Sequence, residues 1–260
     1  MLHEQLERAL PAVRRYARGL VGDQQAGDAL VVSVVERFLL ETVSNAREIK
    51  MQLFRILHRI WVESLASRHV SPLASNNRAQ VQRKQLTPLS REALLLHAIE
   101  DMSHQAISKI LDVDVGHVDS LLADASAEIK QAAPGRILVI EDEALIAMDL
   151  QDILTGAGHR VIGAAATHEQ AIALTEAEHP DLILADIQLA DGSSGIEATD
   201  EILKTYKDLP VIFVTAFPEL LLTGKRHEPA FVIAKPYNQL KVTSAVSQAM
   251  FFADVQSGPR

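Results

Sequence analysis

The sequence predicts an all-α N-terminal domain followed by an α/β domain built on a doubly wound parallel sheet. Two observations carry this prediction. Up to about residue 131, apolar side chains recur at the three- and four-residue spacing of amphipathic helices. From residue 137 onward, short apolar segments typical of buried strands alternate with helical segments, and this alternation predicts five β/α units.

The N-terminal domain, residues 1–131, is predicted to contain two helical parts joined by a linker. The first part, residues 1–69, has three helices with apolar stripes, at about residues 3–20, 27–41 and 46–68. Asp23 is the predicted cap of the second helix. Residues 70–88 are polar, contain two prolines and an Asn-Asn pair, and are interpreted as the linker.

The second part, residues 89–131, contains three closely spaced helices. They are predicted at residues 90–100, 103–111 and about 115–130, and their caps are Ser90, Ser103 and Asp114. Two short helices joined by a turn of a few residues are the pattern of a helix-turn-helix. The turn at Asp112 and Val113 contains no glycine.

The C-terminal domain, residues 136–260, follows the short linker QAAPGR. Its strands are predicted at residues 137–140, 159–165, 182–185, 211–214 and 231–234, and its helices at residues 144–156, 167–178, 195–206 and 239–253. Thr167 and Gln170 form a predicted capping box. Residues 220–225 give at most a short helix, because Gly224 interrupts them. In such sheets, binding sites lie beyond the carboxyl ends of the strands.

Composition restricts the class of protein. The absence of cysteine excludes disulfides and thiolate metal sites, and it fits a cytosolic protein. No apolar run approaches about 18 residues, so we expect no membrane span. The N-terminus, MLHEQLERALPAVRR, does not place a positive segment before an apolar one, and we expect no signal peptide. The expected localisation is therefore cytoplasmic.

The net charge of −9 is unevenly distributed. Residues 1–131 carry equal numbers of acidic and basic side chains, so the excess belongs to residues 132–260. Within the N-terminal domain, however, residues 92–131 carry 8 acidic and 2 basic side chains, a net charge of −6. Because lysine and arginine supply most of the affinity for DNA by neutralising phosphates, a duplex should repel this segment, and we do not expect nucleic-acid binding.

Five chemically capable residues follow or end the predicted strands. Glu141 and Asp142 follow the first strand, and Asp186 follows the third. Thr215 stands at the end of the fourth strand and Lys235 at the end of the fifth. An isolated acid in such a position is usually a helix cap or a solvated loop residue. Five suitable residue types at four strand ends indicate a site instead.

The residue types fit the acceptance of a phosphoryl group by an aspartate. A carboxylate that attacks a phosphoryl group meets anion–anion repulsion, so a hard divalent cation such as Mg²⁺ is needed. The candidate ligands are Glu141, Asp142, Asp186 and the backbone carbonyl of Gln188. Asp186 is also the candidate nucleophile and phosphoacceptor.

Thr215 and Lys235 complete the candidate site. The hydroxyl of Thr215 can hydrogen-bond one phosphoryl oxygen, and the amine of Lys235 can pair with another. A cis Lys235-Pro236 peptide bond would aim the lysine inward.

The segments around these residues resemble the signature blocks of the response-regulator receiver domain. They read ILVIEDEALI, LILADIQLADGSSGIEA, VIFVTAFP and FVIAKPYN, and the resemblance covers about residues 136–254. It implies a CheY-like (βα)5 fold, dependence on Mg²⁺, and phosphorylation of Asp186 by a histidine kinase or phosphotransferase, in a signalling protein rather than an enzyme. Receivers often have Tyr or Phe three residues before the lysine. Val232 occupies that position here, and Phe217 is the candidate substitute.

The N-terminal domain resembles sigma factors of the extracytoplasmic-function class. The segment similar to their region two reads RRYARGLVGDQQAGDALVVSVVERFL, and the segment similar to their region four reads LSREALLLHAIEDMSHQAISKILDVDVGHVDSLLADASAEI. In those factors the last helix reads promoter DNA and typically carries Lys and Arg, whereas this helix carries Asp119, Asp124 and Glu128.

A sigma-like domain followed by a receiver resembles the PhyR family of general stress response regulators. This resemblance implies an anti-anti-sigma factor that binds an anti-sigma factor of the NepR type and so frees a stress sigma factor. We expect an intramolecular interface between the sigma-like domain and the receiver to cover the anti-sigma surface until Asp186 is phosphorylated. The candidate partner surfaces are Val31–Leu39 and Val118–Leu122, with core packing as the alternative for most of these residues.

Three other functions stay open at this point. A DNA-binding response regulator would need phosphorylation to create affinity for a duplex, which the charge of −6 opposes. A receiver-regulated sigma factor would act directly on transcription and would have to bind core RNA polymerase. An enzyme acting on a small phosphorylated substrate could share the sheet, but the sequence contains no further substrate-pocket signature.

Overall fold

The computed structural model describes residues 2–41, 49–69, 87–131, 133–189, 192–217, 221 and 231–257. The chain forms two compact units, Met1–Glu128 and Ile129–Arg260, which we call the helical unit and the sheet unit. The predicted fold classes are confirmed, because the first unit contains helices and the second contains a five-stranded sheet with helices. In the described residues, no helix is long and apolar enough to cross a membrane.

The helical unit begins with three longer helices and continues with three closely spaced ones. They are α1 (Leu2–Val21), α2 (Gln24–Leu40), α3 (Ile49–His69), α4 (Pro88–Ala98), α5 (His104–Leu111) and α6 (Val115–Gln131). The predicted caps Asp23 and Ser103 are confirmed, because their side chains accept hydrogen bonds from the backbone of Ala26 at 2.7 Å and Ala106 at 3.3 Å. The predicted start of the third helix and most of the linker lie outside the described residues.

The predicted cap of α4 is wrong by one turn. The helix begins at Pro88 rather than at Ser90, and Thr87 caps it by accepting a hydrogen bond from the backbone N–H of Ser90 at 3.1 Å. Proline is favourable at the first helical position because its missing N–H would have no partner inside the helix. The pattern Thr-Pro was a better start signal than the serine that follows it.

The helix-turn-helix is present, and an aspartate takes the place of glycine in its turn. Asp112 ends α5 in the left-handed conformation, with φ of 55°. Aspartate and asparagine tolerate this conformation better than other non-glycine residues do. The predicted cap of α6 is confirmed, because the backbone N–H of His117 donates to Asp114 at 2.9 Å.

One hydrophobic core runs through the helical unit. Every helix contributes buried apolar side chains, among them Leu20, Val34, Leu57, Leu96, Ile107 and Val118. The two predicted helical parts therefore share a core instead of forming separate ones. At Gly27, a Cβ atom would lie 2.7 Å from Cγ and 2.8 Å from Cα of Arg18, so α1 and α2 approach too closely for any larger residue.

The sheet unit alternates strands and helices as predicted. Its elements are β1 (Arg136–Ile140), α7 (Ala144–Gly156), β2 (Arg160–Ala165), α8 (His168–Ala177), β3 (Leu182–Ala185), α9 (Gly195–Thr205), β4 (Val211–Thr215), β5 (Phe231–Ala234) and α10 (Gln239–Ser257). Gln170 of the predicted capping box accepts from the backbone of Ala166 at 2.9 Å, one residue before the expected partner Thr167. The predicted short helix at residues 220–225 lies, apart from Leu221, outside the described residues.

The strand order β2-β1-β3-β4-β5 places the chain reversal between β1 and β3. All neighbouring strands are parallel, and Ile140 pairs with Ala185 while Thr215 pairs with Ala234. The strand ends are thus aligned in register at one edge of the sheet. In doubly wound sheets this edge, next to the chain reversal, is where ligands bind.

Candidate functional site

The sheet register determines where the predicted site residues lie. Asp186 follows β3 directly, and its backbone N–H donates to the carbonyl of Ile140 in β1 at 2.8 Å. The backbone N–H of Lys235 donates in the same way to the carbonyl of Thr215 at 2.8 Å. These ladder bonds extend each strand by one residue, so the side chains that follow the strands start from one common edge.

Lys235 brings two carboxylates together. Its Nζ lies 2.6 Å from Oδ2 of Asp186 and 2.8 Å from Oε2 of Glu141. The Lys235-Pro236 peptide bond is cis, the isomer that would aim the lysine inward. Between 1% and 13% of each of these three side chains is exposed, so water screens the charges poorly.

Burial and pairing act in opposite directions on these groups. Burial is the main cause that raises the pKa of Glu141 above its usual value, while the amine of Lys235 counteracts it. For Lys235, burial disfavours the charged amine, but the hydrogen bonds and charges of Asp186 and Glu141 outweigh burial and raise its pKa. The lysine therefore stays protonated and neutralises part of the negative charge of the site.

The three acids form a cluster suited to a cation. Glu141, Asp142 and Asp186 each offer a carboxylate oxygen, and these oxygens lie within 4.8 Å of one another. Carboxylate oxygens are the ligands that Mg²⁺ prefers. Lys235 contacts two of the three acids, so the cluster carries more negative than positive charge and the donor set fits a divalent cation. Gln188 lies two residues after Asp186 and pairs with Ser194 in an isolated bridge, and the role of its carbonyl stays a prediction.

Gly195 shapes the loop that holds Asp186, and the sequence analysis did not single it out. A Cβ atom at this position would lie 1.8 Å from the carbonyl oxygen of Asp186. The backbone N–H of Gly195 donates to the carbonyl of Ile187 at 3.0 Å, and that of Ile187 donates to Oδ1 of Asp186 at 2.6 Å. A glycine directly after the cap Ser194 was the signal that could have revealed this contact.

Thr215 is buried at the end of β4, and its hydroxyl accepts a hydrogen bond from the backbone of Phe217 at 3.1 Å. The side chain of Phe217 is 48% exposed. Val232, at the position where receivers often have an aromatic residue, is buried in β5. Phe217 is thus an aromatic residue whose backbone N–H donates to the hydroxyl of Thr215, the predicted ligand of the phosphoryl group.

The structure shows that fewer acids of the helix-turn-helix segment lie on its surface than the sequence indicates. Two of its eight acids belong to the core, because Glu92 lies 2.7 Å from Nδ1 of His58 and Glu100 pairs with Arg15 at 2.9 Å. The remaining six acids still outnumber Lys109 and Lys130. On α6 itself, Asp119 is exposed and lies 2.6 Å from Nδ1 of His104. The segment keeps a negative surface after the correction.

The structure also shows which side chains of the two predicted partner surfaces are buried and which are exposed. Within Val31–Leu39, the side chains of Val31, Val34 and Phe38 belong to the core, whereas Val32 and Leu39 are exposed. Within Val118–Leu122, the apolar side chains pack against or inside the same core. The alternative of core packing therefore holds for the apolar side chains of Val118–Leu122 and for all the apolar side chains of Val31–Leu39 except Val32 and Leu39.

Comparisons with known proteins agree with both units. A model of the response regulator receiver domain matches residues 137–247, a model of the Sigma2 domain of PhyR matches residues 6–58, and a model of the sigma-like domain of the response regulator PhyR matches residues 84–132. The phyllosphere-induced regulator PhyR of Methylorubrum extorquens is 47% identical over 246 residues, which are 94% of this chain and 92% of that protein.

Two solved structures are similar to this chain over nearly its whole length. The response regulator PhyR of Brucella abortus is 38% identical with a TM-score of 0.82, over 99% of this chain and 97% of its own. The anti-anti-sigma factor PhyR of Bartonella quintana is 37% identical with a TM-score of 0.82, over 99% and 98%. A PhyR of that organism complexed with the anti-sigma factor NepR is 36% identical over 97% and 99%, with a TM-score of 0.39.

Proposed function

The chain belongs to the PhyR family of response regulators, and on that premise we propose that it is an anti-anti-sigma factor switched on by phosphorylation of Asp186. It is a signalling protein rather than an enzyme. One observation supports the proposal most strongly. A single chain joins a lysine-linked acidic pocket at a sheet edge to a sigma-like helical unit whose helix-turn-helix carries a negative surface.

Asp186 is the proposed phosphoacceptor. One of its carboxylate oxygens attacks the phosphorus of a phosphohistidine in the kinase or phosphotransferase, or of a small phosphodonor. The new O–P bond forms as the bond from phosphorus to the donor breaks, and the donor leaves with the electron pair. The proximity of Lys235, at 2.6 Å, supports this role because a cation next to the nucleophile offsets the repulsion between the two anions.

Lys235 and Thr215 are proposed to hold the transferred group. The amine of Lys235 exchanges its contact with the carboxylate of Asp186 for a contact with a phosphoryl oxygen. The hydroxyl of Thr215, which now accepts from the backbone of Phe217, would donate to another phosphoryl oxygen. Because the same hydroxyl would contact both the phosphoryl group and the backbone N–H of Phe217, it would couple phosphorylation to the segment that begins at Phe217.

Mg²⁺ is the proposed cofactor of the site. Receivers generally bind Mg²⁺ through acidic residues, and Glu141, Asp142 and Asp186 would hold it here, together with the carbonyl of Gln188. When bound, the ion supplies positive charge that offsets the negative charge of the acids and the phosphoryl group. The protein's part is to keep the three carboxylates at one sheet edge.

The proposed output is binding of an anti-sigma factor of the NepR type. In the proposal, the intramolecular interface covers the anti-sigma surface of the sigma-like unit until phosphorylation weakens that interface. A ligand or modification that moves a population from 1:99 to 99:1 must supply about 5.5 kcal/mol, which a few charge-assisted contacts can provide. The proposed location is the cytoplasm, where the kinase and the sigma factor act.

The test is a binding experiment with the full chain and beryllofluoride plus Mg²⁺ as the phosphoryl mimic. We expect the mimic to make the chain capture a purified anti-sigma factor of the NepR type, and Asp186→Ala to abolish that gain. Mimic-stimulated capture by the Asp186→Ala variant would contradict the role of Asp186. Capture of RNA polymerase or promoter DNA instead would support a receiver-regulated sigma factor or a DNA-binding regulator.

A further inference from the structure

The backbone of Ile187, the residue directly after the proposed phosphoacceptor, is held from two sides. Its carbonyl accepts two hydrogen bonds from the N-terminal end of α9, one from the hydroxyl of Ser194 at 3.2 Å and one from the backbone N–H of Gly195 at 3.0 Å. Its N–H donates to Oδ1 of Asp186 at 2.6 Å. The backbone of Ile187 therefore links the beginning of α9 to the carboxylate of Asp186.

The hydroxyl of Ser194 makes two different hydrogen bonds. It accepts from the backbone N–H of Ile196 at 3.2 Å, which is the ordinary capping bond of α9. It also donates to the carbonyl of Ile187, a bond that capping does not require. A hydroxyl can do both because it has one proton and two lone pairs, whereas an ionised aspartate, also a common cap, can only accept. The donor function of Ser194 can therefore be separated from its capping function.

Close backbone contacts define where Ser194 lies relative to the site. A Cβ atom at Gly195 would lie 1.8 Å from the carbonyl oxygen of Asp186, so α9 begins directly against the end of β3. Before the helix, the backbone N–H of Leu189 donates to the carbonyl of Ser193 at 3.2 Å and brings the chain back toward Asp186. The hydroxyl of Ser194 thus has a defined position next to the phosphoacceptor loop.

The orientation of the Asp186 carboxylate matters for the proposed reaction. Its two oxygens have different partners, because Ile187 donates to Oδ1 and Lys235 donates to Oδ2 at 2.6 Å. When Lys235 turns to a phosphoryl oxygen, as proposed above, the hydrogen bond from Ile187 still restrains the rotation of the carboxylate. A nucleophile held in line with the bond that breaks reacts much faster than one that rotates freely.

We propose that Ser194 is a positioning residue for the phosphorylation of Asp186 and acts through the backbone of Ile187. This inference rests on the proposed function and names a residue that would set the rate of its first step. Two donors define the direction of the Ile187 carbonyl more narrowly than one, and the direction of this backbone determines where its N–H meets the carboxylate. Loss of the hydroxyl donor should therefore slow phosphoryl transfer although no reacting group is removed.

The experiment measures phosphorylation of the full chain by acetyl phosphate at saturating Mg²⁺. A carboxylate oxygen of Asp186 attacks the phosphorus, and acetate leaves with the electron pair of its O–P bond. Phosphate-affinity gels give the maximal rate and the half-saturating donor concentration. Ser194→Gly should lower the maximal rate by about tenfold and leave the half-saturating concentration within about twofold, because glycine removes the donor but is still an acceptable cap.

Three further variants separate the donor from the cap. Ser194→Asp keeps an acceptor for the cap but has no donor, so its maximal rate should also fall by at least about tenfold. Ser194→Thr keeps both functions and should react within about twofold of the unchanged chain. Ser194→Ala loses both functions, so it should be slow and should also melt about 5 °C lower, whereas the other three variants should stay within about 2 °C.

The matched control is Ser103→Gly, which changes the cap of a helix in the helical unit. The hydroxyl of Ser103 accepts from the backbone N–H of Ala106 at 3.3 Å, much as Ser194 accepts from Ile196. The substitution is the same, but the phosphoacceptor loop is untouched. This variant should be phosphorylated at the rate of the unchanged chain.

The outcomes separate the role of Ser194 from the proposed function. If the unchanged chain is phosphorylated and the glycine and aspartate variants react equally fast, the positioning role is overturned and the proposed function stands. Rates that follow the melting temperatures, with only Ser194→Ala slow, would make Ser194 a helix cap and nothing more. No phosphorylation of the unchanged chain would contradict the role of Asp186 and overturn both proposals.

Discussion

The helical unit and the sheet unit both contain buried charged groups. They differ in the sign of the charge that is left unpaired and in where that charge lies. In the helical unit, one acid serves two cations, as Glu100 does for Arg15 and Lys50. The side chain of Lys50 is 48% exposed, so the surplus positive charge reaches water through a long side chain. In the sheet unit, two acids of a cluster of three, Glu141 and Asp186, share Lys235, and the side chain of Glu141 is only 1% exposed.

This difference separates structural charge from functional charge. When the unpaired charge lies on a long lysine or arginine, water hydrates it. The acid–base pair beside it can then act as a fixed link between helices. Surplus charge on a short buried carboxylate cannot reach water, and a ligand of opposite charge lowers its energy. The acid cluster at the sheet edge therefore suits the proposed cation, whereas the helical unit uses its buried charge to hold α1, α3 and α4 together.

The substitution with the largest expected effect is Asp186→Asn, which tests whether the buried charge of the sheet unit is functional rather than structural. Phosphorylation from a small phosphodonor should fall by at least about 100-fold, because the nucleophile is lost. The melting temperature of the sheet unit should stay equal or rise, because one of three clustered acids becomes neutral while Lys235 keeps Glu141. Phosphate-affinity gels and thermal denaturation measure the two effects. A large loss of stability would mean that Asp186 is a structural charge like Glu100.

The opposite result is expected for Glu100→Ala. Removing this fully buried acid leaves Arg15, whose side chain is 19% exposed, without its partner, and breaking a buried pair costs about 3–5 kcal/mol. Trp61 of α3, the single tryptophan of the chain, makes urea unfolding of the helical unit visible by fluorescence. Glu4→Ala is the matched control, since its pair with Arg8 is exposed and worth about 0.5 kcal/mol or less. Equal effects would contradict the structural role of Glu100.

A smaller effect with a specific pH dependence is expected at Asp28, which pairs with the fully buried Arg18 at 2.7 Å. Burial opposes ionisation of Asp28, but the hydrogen bonds from Arg18 and Arg14 outweigh it and lower its pKa. A lowered pKa means that the ionised form stabilises the fold above the unfolded value near about 4, and that this contribution is lost as the pH falls further.

Asp28→Asn should therefore reduce the unfolding free energy by about 2–3 kcal/mol at pH 7, and the difference from the unchanged chain should shrink below about pH 4. Unfolding followed by Trp61 fluorescence between pH 2.5 and 7 measures it. A difference that disappears already near neutral pH would assign the effect to another group.

The last expected effect, at most as large as that of Asp28→Asn, tests the sheet side of the comparison. Mg²⁺ should raise the stability of the sheet unit by up to about 2.7 kcal/mol at a hundredfold excess over its dissociation constant, and leave Trp61 unfolding of the helical unit unchanged. Lys235→Met should increase the Mg²⁺ gain, because the acids then lack their cation. Glu141→Gln should reduce it. Equal Mg²⁺ stabilisation in all three chains would place the ion elsewhere.

Local and periodic features were predictable from the sequence. The caps Asp23, Ser103 and Asp114 follow from hydrogen bonding between residues three positions apart, so a short window of sequence contains all the information. The meeting of Glu141 and Asp186 was also predictable, because parallel strands end at one edge of a sheet. The start of α4 was less predictable because Thr87 and Ser90 are both acceptable caps, and only the proline between them distinguishes the two.

The sequence by itself determined the two fold classes, the order of the elements, and the set of acids that meet at the sheet edge, because these depend on patterns within or between neighbouring elements. The tertiary structure alone decided which charged side chains are buried and which residues they pair with. Glu92 and Glu100 look like surface acids of a negative segment, yet their partners lie 34 and 85 residues away, on α3 and α1. It also decided which apolar residues of α2 pack and which remain exposed, because that division depends on which face the other helices cover.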